Sequence, residues 1–322
     1  MKRIAVLLLL LCACSREVVQ QPKAHDRVTM NMNPSITYAP MMIAQDEGFF
    51  AAEGIDAEIV SLDSNSALAA LAAGKLDVLS AGVRSGIFNM ILKGVPMQIV
   101  ADKGHSQEGP CVYDAFVAPV AMAKRIEKNG GSLRGERVAM IRGGTAEFVT
   151  EKLLESRKTA MRDVVVVQMP QGSLVSSRDK MDAVRFTGEP NLSALLADGS
   201  SAIVADVQDL APGIQANVIV FGKRLLRDDP ALGRRFMRAY LRGVRRYDEG
   251  KTERNISIIA KYTKLPEDIV RRACWTAIRS DGSVDPRSVQ PFLDWALGKH
   301  YLDAPVPAER WWNPTFIDAA RE

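Results

Sequence analysis

The sequence predicts an α/β protein of two lobes, each built on a mixed, mainly parallel sheet and joined to the other by two crossings. From Val28 onward, short β-rich runs alternate with helical runs, a polar stretch at 102–114 interrupts the pattern, and the alternation then restarts. Strands that alternate with helices favour right-handed crossovers and sheets covered on both faces. We therefore expect lobe 1 to comprise residues 27–103 and 215–322, and lobe 2 residues 110–212.

In lobe 1, turn residues mark the ends of the expected helices. An apolar run at 40–50 predicts one helix, and Ser64 is placed to cap a helix at 67–73 that ends at Gly74. A third helix is expected at 87–93. The strands of this lobe are predicted at 28–32, 57–62, 77–81 and 97–101.

Lobe 2 repeats the alternation. Its strands are predicted at 115–119, 138–141, 164–168, 183–186 and 202–205, and its helices near 121–128, 146–157 and 191–197. One more strand is expected at 217–221, and beyond it the chain is almost entirely helical, which favours a return to lobe 1. The crossings near 103–113 and 206–216 would then act as hinges.

The N-terminus has the pattern of an export signal. A basic start is followed by an apolar run at 4–11 that is too short to span a bilayer. A small residue precedes Cys14, so we expect a signal peptide at 1–13 and a tether at 14–26. The pattern resembles the lipobox of bacterial lipoproteins, which implies a lipid on the Cys14 sulfur. An ordinary signal peptide with an incidental cysteine is the alternative.

The composition argues against several functional classes. The net charge of +4 gives no reason to expect a nucleic-acid partner, and no later apolar run reaches the roughly 18 residues of a membrane helix. The three histidines are scattered, and no HExxH, CxxC, GxSxG or P-loop motif occurs, so we expect neither an enzyme nor a cofactor or metal. Cys111 and Cys274 could form a bridge or remain buried thiols, and both possibilities stay open.

Several motifs, in order along the chain, resemble one family of proteins. Residues 44–56 look like its A-x-x-x-G-Φ-F-x-x-x-G-Φ-D opening, and further matches lie at 70–78, 93–96, 133–139, 181–190, 281–295 and 316–320. The family is the NMT1/THI5-like group of ABC-transporter solute-binding proteins, which bind alkanesulfonates, taurine, nitrate and thiamine precursors. The resemblance implies two Rossmann-like lobes of the periplasmic-binding-protein type II fold, a ligand cleft between them, and permease and ATPase partners.

The ligand site is predicted on loops at the carboxyl ends of the strands, where open α/β sheets bind ligands. The resemblance implies the same loops. The candidate residues are Asn33, Ile36, Tyr38, Ser64, Asn65, Arg84 and Ser85 on lobe 1, and Phe116, Arg142, Gly144, Thr145, Phe186, Thr187 and Glu189 on lobe 2.

The chemistry of these loops suggests the class of ligand. Arg84 and Arg142 would suit a carboxylate or sulfonate that bridges the lobes, although either arginine could instead pair with a carboxylate on the rim. Tyr38, Phe116 or Phe186 could stack on a small heteroaromatic. The apolar mouth of the site also keeps a hydrophobic or amphiphilic ligand open.

The expected function is therefore that of a monomeric, exported, lipid-anchored solute-binding protein that serves an ABC-type importer. A sensory lipoprotein shares every residue feature, and a biosynthetic enzyme of related fold is a third alternative that lacks a nucleophile–base pair. Arg234, Arg238, Arg242 and Arg245 recur at helical spacing. We expect them to form a solvated helix face, with docking to a permease or to acidic headgroups as the alternative.

Overall fold

The computed structural model describes residues 25–109, 111–169 and 181–320. Its strands are β1 (Asp26–Asn31), β2 (Ile55–Val60), β3 (Val78–Gly82), β4 (Gln98–His105), β5 (Asp114–Pro119), β6 (Arg137–Met140), β7 (Val165–Gln168), β8 (Arg185–Gly188), β9 (Ser201–Asp206) and β10 (Gln215–Phe221). The expected signal peptide and Cys14 lie outside the described residues.

Helices cover the sheets and form the C-terminal part of the chain. They are α1 (Ala39–Asp46), α2 (Phe49–Ala52), α3 (Ser64–Ala72), α4 (Ser85–Leu92), α5 (Val120–Lys128), α6 (Thr145–Ser156), α7 (Asn191–Ala197), α8 (Val207–Leu210), α9 (Pro230–Asp248), α10 (Glu253–Thr263), α11 (Glu267–Arg272), α12 (Gln290–Gly298), α13 (Ala308–Trp311) and α14 (Thr315–Asp318). Within the described ranges, no helix combines the length and the apolar character that a membrane span requires.

The larger sheet has five strands in the order β2-β1-β3-β10-β4. β1 pairs in parallel with β2 and β3, whereas β10 runs antiparallel to β3 and β4. Val218, Ile219, Val220 and Phe221 are fully buried, as expected of an inner strand whose two faces are both covered. The chain thus returns to its first sheet after residue 214.

The remaining strands form a second group. β5 lies between β8 and β9 and is antiparallel to both, while β6 and β7 form a parallel pair. A parallel bridge between Val138 and Val184 brings the β6–β7 pair beside the other sheet. The chain is therefore an α/β protein with mixed sheets, as predicted.

The two connections between these groups run side by side. β4 and β10 are neighbours in the first sheet, so His105 lies opposite Gln215, and the Ser106 N–H donates to Ile214 O at 2.9 Å. The polar stretch was expected to be irregular from Asp102, but β4 continues to His105. The buried Asp102 carboxylate permits this because it accepts hydrogen bonds from Gln215 Nε2 at 2.6 Å and from the Arg279 N–H at 2.8 Å.

Two local predictions were wrong in detail. The single helix expected at 40–50 is divided into α1 and α2 by Gly48, which adopts a left-handed conformation with φ +71°. The cap of α3 is Asp63 rather than Ser64, because its carboxylate accepts hydrogen bonds from the N–H groups of Asn65 and Ser66. A carboxylate at this position satisfies N–H groups that the first turn leaves free.

Cys111 and Cys274 form a disulfide, with their Cα atoms 5.7 Å apart. The bridge joins the first connection between the strand groups to the segment that follows α11. It thereby decides between the two possibilities that the sequence left open.

Helix α9 anchors the C-terminal part on the larger sheet. Its apolar face, including Phe236 and Tyr240, is fully buried, and a Cβ at Gly243 would collide with the carbonyl of Pro40 in α1. On its arginine face, Arg238 pairs with Glu53 at 2.8 Å and Arg242 lies over the Phe49 ring.

Candidate ligand-binding cavity

A cavity of about 570 Å³ lies between the two groups of strands. On the side of the larger sheet it is lined by the loops at 33–38 and 61–64, which follow β1 and β2, and by the carboxyl end of β3. On the other side it is lined by Tyr113, Asp114 and the segment at 186–191. Its size lies within the usual range for a small-molecule site, and its position follows the rule for open α/β sheets.

Seven of the predicted site residues line this cavity. They are Asn33, Tyr38, Ser64, Thr145, Phe186, Thr187 and Glu189. Tyr38 donates a hydrogen bond from its hydroxyl to Ser80 O at 3.1 Å, which fixes its ring at the cavity wall. The roles of these residues as ligand contacts remain predictions.

The other predicted residues do not line the cavity. Ile36 and Phe116 are fully buried in the apolar core, so their side chains have no surface left for a ligand. Phe116 instead packs edge-on against Phe186, with ring centroids 5.9 Å apart. Asn65 is the second residue of α3 and is exposed to solvent outside the cavity.

Arg84, Ser85 and Gly144 form a contact between the two strand groups. Arg84 and Gly144 make an isolated antiparallel bridge, and the Ser85 N–H donates to Gly143 O at 3.1 Å. Gly143 has a φ of +81°, a conformation that glycine adopts without strain. The two loops therefore meet through their backbones, at a place where the sequence analysis expected side chains around a ligand.

The guanidinium of Arg142 is held away from the cavity. Its Nε donates to Gln168 Oε1 at 2.9 Å, and its Nη1 lies 3.4 Å from both Glu147 Oε1 and the Tyr301 hydroxyl. The side chain is 55% exposed. Arg142 thus pairs with a carboxylate, that of Glu147, which was the alternative to an anion bridge between Arg84 and Arg142. Neither arginine lines the cavity, so this arrangement does not support the bridge.

Lys103 is a cavity residue that the sequence analysis missed. Its side chain is only 1% exposed, and its Nζ lies 3.6 Å from the centre of the Tyr38 ring and 3.4 Å from Thr37 Oγ1. Burial lowers the pKa of this amine from 10.5 to about 7, because no carboxylate of the described chain compensates for the lost water. In the sequence, Lys103 lies two residues after the apolar strand predicted at 97–101, and this position could have marked it as a cavity residue.

Asp114 was also missed, and it lies on the opposite wall. It faces Gly188 across the β5–β8 pair, and its carboxylate accepts no hydrogen bond from the described residues. The Asp114 side chain lines the cavity and is partly buried in its wall. This desolvation, with smaller contributions from the charges of Glu189 and Asp206, raises the pKa of Asp114 to about 7.

Glu189 and Thr187 lie in the same cavity wall, but only the polar group of Glu189 is hydrogen-bonded within the described chain. The Glu189 carboxylate accepts hydrogen bonds from the Ser193 N–H at 3.0 Å, from its hydroxyl at 2.7 Å and from the Cys274 N–H at 3.0 Å. The Thr187 hydroxyl is buried without a hydrogen-bond partner within the described ranges. An unpaired buried hydroxyl is unfavourable, so a ligand that bonds to Thr187 would recover that free energy.

A second cavity, of about 730 Å³, lies beside the connections between the strand groups. It is lined by His105, the disulfide and Trp275, and it shares Tyr113 and Asp114 with the first cavity. Among the residues that the structure describes, no three His, Cys, Asp or Glu side chains are grouped so as to hold a metal ion.

Comparison with known proteins agrees with this architecture. The sequence profile of the family described as "NMT1/THI5 like" matches residues 35–247. No curated protein matches the chain significantly.

Many solved structures are similar in fold, among them those of three binding proteins. The ligand-binding component of an ABC-type import system from Staphylococcus aureus is 16% identical, with a TM-score of 0.74, over 92% of this chain and 99% of that one. The nitrate-binding protein NrtA from Synechocystis PCC 6803 is 14% identical, with a TM-score of 0.75, over 92% and 88%. The aliphatic sulphonate-binding protein SsuA from Escherichia coli is 15% identical, with a TM-score of 0.70, over 89% and 97%. These likenesses confirm the predicted periplasmic-binding-protein fold.

Proposed function

The chain belongs to the NMT1/THI5-like family, and on that basis we propose that it is the extracytoplasmic solute-binding component of an ABC-type importer. It captures a small molecule in the cavity between its strand groups and delivers it to a permease driven by an ATPase. The cavity is the observation that carries this proposal, since it lies beyond the carboxyl ends of β1, β2 and β3 and has the size of a small-molecule site. The similar proteins from Staphylococcus aureus and Escherichia coli serve as ligand-binding proteins.

We assign lobe 1 to residues 27–103 and 215–322 and lobe 2 to residues 110–212, with ligand-driven closure about the two connections. The neighbouring positions of β4 and β10 support this division, because two adjacent strands that leave one sheet together can bend as a pair. The backbone contact between Arg84 and Gly144 lies where closed lobes would touch.

The ligand carries an anionic group, a carboxylate or a sulfonate, which Lys103 receives. Among the described residues that line the cavity, Lys103 is the only basic one. An anion would provide the charged partner that this buried amine lacks. The rings of Tyr38 and Phe186 offer apolar surface to the rest of the ligand.

Capture and closure can be tested while the ligand is still unidentified. The protein is purified from its own periplasm, and its native mass is compared with its denatured mass, which should differ by the mass of a bound small molecule. Small-angle scattering should then give a smaller radius of gyration for the loaded protein than for protein stripped by unfolding and refolding. Equal masses, together with identical scattering after addition of a periplasmic extract, would contradict the proposal.

We also propose that the protein is exported and anchored through lipid on Cys14. Cys14→Ser should move the protein from the membrane fraction to the soluble fraction, because the thioether to the lipid cannot form. Cys12→Ser is the matched control and should leave the protein on the membrane. Retention of Cys14→Ser after high-salt and carbonate washing would contradict the anchor.

A further inference from the structure

We infer that the ligand is a zwitterion with an apolar body, whose anionic group faces Lys103 on one side of the cavity and whose ammonium group faces Asp114 on the other. The inference rests on the proposed function and names the chemical class that this site selects. It follows from a buried amine in one wall and a partly buried carboxylate in the other, neither of which has an ion-pair partner within the described chain.

Asp114 is the cavity carboxylate that remains free to bind a ligand. Asp63 is occupied in capping α3, and Glu189 already accepts three hydrogen bonds. Asp114 accepts none from the described residues, although an ionised carboxylate offers about four acceptor positions. Its side chain lies over Gly188 and fills the space that a Cβ at that position would need. The absence of a side chain at residue 188 is therefore what leaves room for this carboxylate.

Lys103 is the corresponding free donor. Its ammonium group has three N–H donors, and the described chain supplies one distant acceptor, Thr37 Oγ1 at 3.4 Å. The Tyr38 ring below it favours a cation but accepts no conventional hydrogen bond. At least one strong acceptor is thus missing, and a carboxylate or sulfonate of the ligand would supply it.

The two groups do not neutralise each other. Neither has an ion-pair partner in the described part of the chain, and burial moves the pKa of each to about 7, toward its uncharged form. A ligand that is only anionic would pair with Lys103 but would face the negative charges of Asp114 and Glu189. A ligand that is only cationic would leave Lys103 unpaired. A zwitterion satisfies both groups, and like-charge contacts in a closed cleft disfavour the other two classes.

The cavity has room for a ligand body of some size in addition to the two charged groups. The walls of this cavity of about 570 Å³ also include Tyr38, Phe186, Leu62 and Ile141, which are mainly apolar. Sites of this volume hold molecules well above the size of a two-carbon spacer. The ligand therefore has an aromatic or otherwise apolar centre with its charged groups apart.

Chemical treatment of a small-molecule extract tests the inference directly. An extract of the cells that produce the protein is divided into an untreated portion, a portion with its amines N-acetylated, and a portion with its carboxylic and sulfonic acids methylated. Stripped protein is incubated with each portion, and the bound mass is read by native mass spectrometry. We expect the bound mass to appear with the untreated portion and to be lost with both treated portions.

The other outcomes separate the two proposals. Binding that survives N-acetylation but not methylation would show an anionic ligand and would overturn the zwitterion inference alone. Binding that survives methylation but not acetylation would show a cation-only ligand, and binding that survives both treatments would show a neutral one. Each of these would also overturn it. No bound mass from the untreated extract would contradict the solute-binding function itself.

A matched pair of variants tests the role of Asp114. Asp114→Asn should need about 10- to 100-fold more untreated extract for half-saturation, the usual effect of losing one charge-assisted hydrogen bond. Asp209→Asn makes the same change at an exposed residue of the second cavity and should match the wild type. Equal saturation of Asp114→Asn and wild type would overturn the assignment. The extract experiment on wild-type protein decides the matter if Asp114→Asn does not fold.

Discussion

Replacing Lys103 by methionine should stabilise the ligand-free protein at pH 6 and have little effect at pH 10. Methionine fills nearly the same space without a charge. In the wild type, Lys103 is fully buried and its pKa is lowered from 10.5 to about 7, so the folded protein resists protonation of this amine. For a base with a lowered pKa, stability rises with pH between about 7 and 10.5, and the full cost of the buried charge is present below about 7.

The magnitude follows from the two pKa values. Each pKa unit corresponds to about 1.4 kcal/mol, so the difference between 10.5 and about 7 gives an upper bound of about 5 kcal/mol at pH 6. Water that enters the open cavity and small movements of the chain reduce this cost. We therefore expect Lys103→Met to raise the free energy of unfolding by about 2 kcal/mol or more at pH 6, and by less than about 1 kcal/mol at pH 10.

The assay is urea unfolding of stripped protein, followed by circular dichroism at both pH values. Asp114, in the opposite wall, is mainly protonated at pH 6 and ionised at pH 10 in wild type and variant alike, so its titration cancels in the comparison. Lys75→Met, at an exposed position, is the control and should change stability little at either pH. A gain for Lys103→Met that is equal at pH 6 and pH 10 would refute the reasoning, because it would arise from packing and not from charge.

Three further predictions concern the disulfide and the cavity. Replacing both Cys111 and Cys274 by serine should lower the free energy of unfolding by about 2–4 kcal/mol, because the bridge spans 163 residues; a loss below about 1 kcal/mol in urea unfolding would contradict this. Arg142→Ala should change the extract concentration for half-saturation by less than about threefold, since its guanidinium is held outside the cavity, and a loss above about tenfold would restore the arginine hypothesis. Thr187→Val should keep the unfolding free energy within about 1 kcal/mol of wild type but weaken saturation, because its hydroxyl has no partner in the described chain. Unchanged saturation would exclude Thr187 as a ligand contact.

The order of residues along the chain is enough to predict the α/β class, the positions of most strands and helices, and the loops on which the cavity lies. These features depend on local patterns: apolar periodicity, glycine at helix ends, and the alternation of strands with helices. The same patterns placed Tyr38 beyond the carboxyl end of β1, where it lines the cavity, since loops that follow parallel strands open on the same edge of the sheet. Phe186 and Thr187 lie within β8, which is antiparallel to β5, so that rule does not account for their position.

Local patterns could not decide which charged side chains enter the cavity. Arg142 follows a strand as predicted, but Glu147 in the first turn of α6 and the distant Tyr301 hold it outside. Lys103 lies in a polar stretch that appeared irregular, and only the pairing of β4 with β10, more than 100 residues away, extends that strand and buries the amine.

The disulfide and the charge balance of the cavity also required the tertiary structure. The sequence shows that Cys111 and Cys274 exist, whereas their Cα separation of 5.7 Å is set by packing of the C-terminal part against the first connection. Asp114 faces the cavity because Gly188 lies opposite it on a neighbouring strand, in a register that no local pattern encodes. Periodicity reports which face of an element is buried, but the partner of a buried charge comes from elsewhere in the chain, and that choice belongs to the fold.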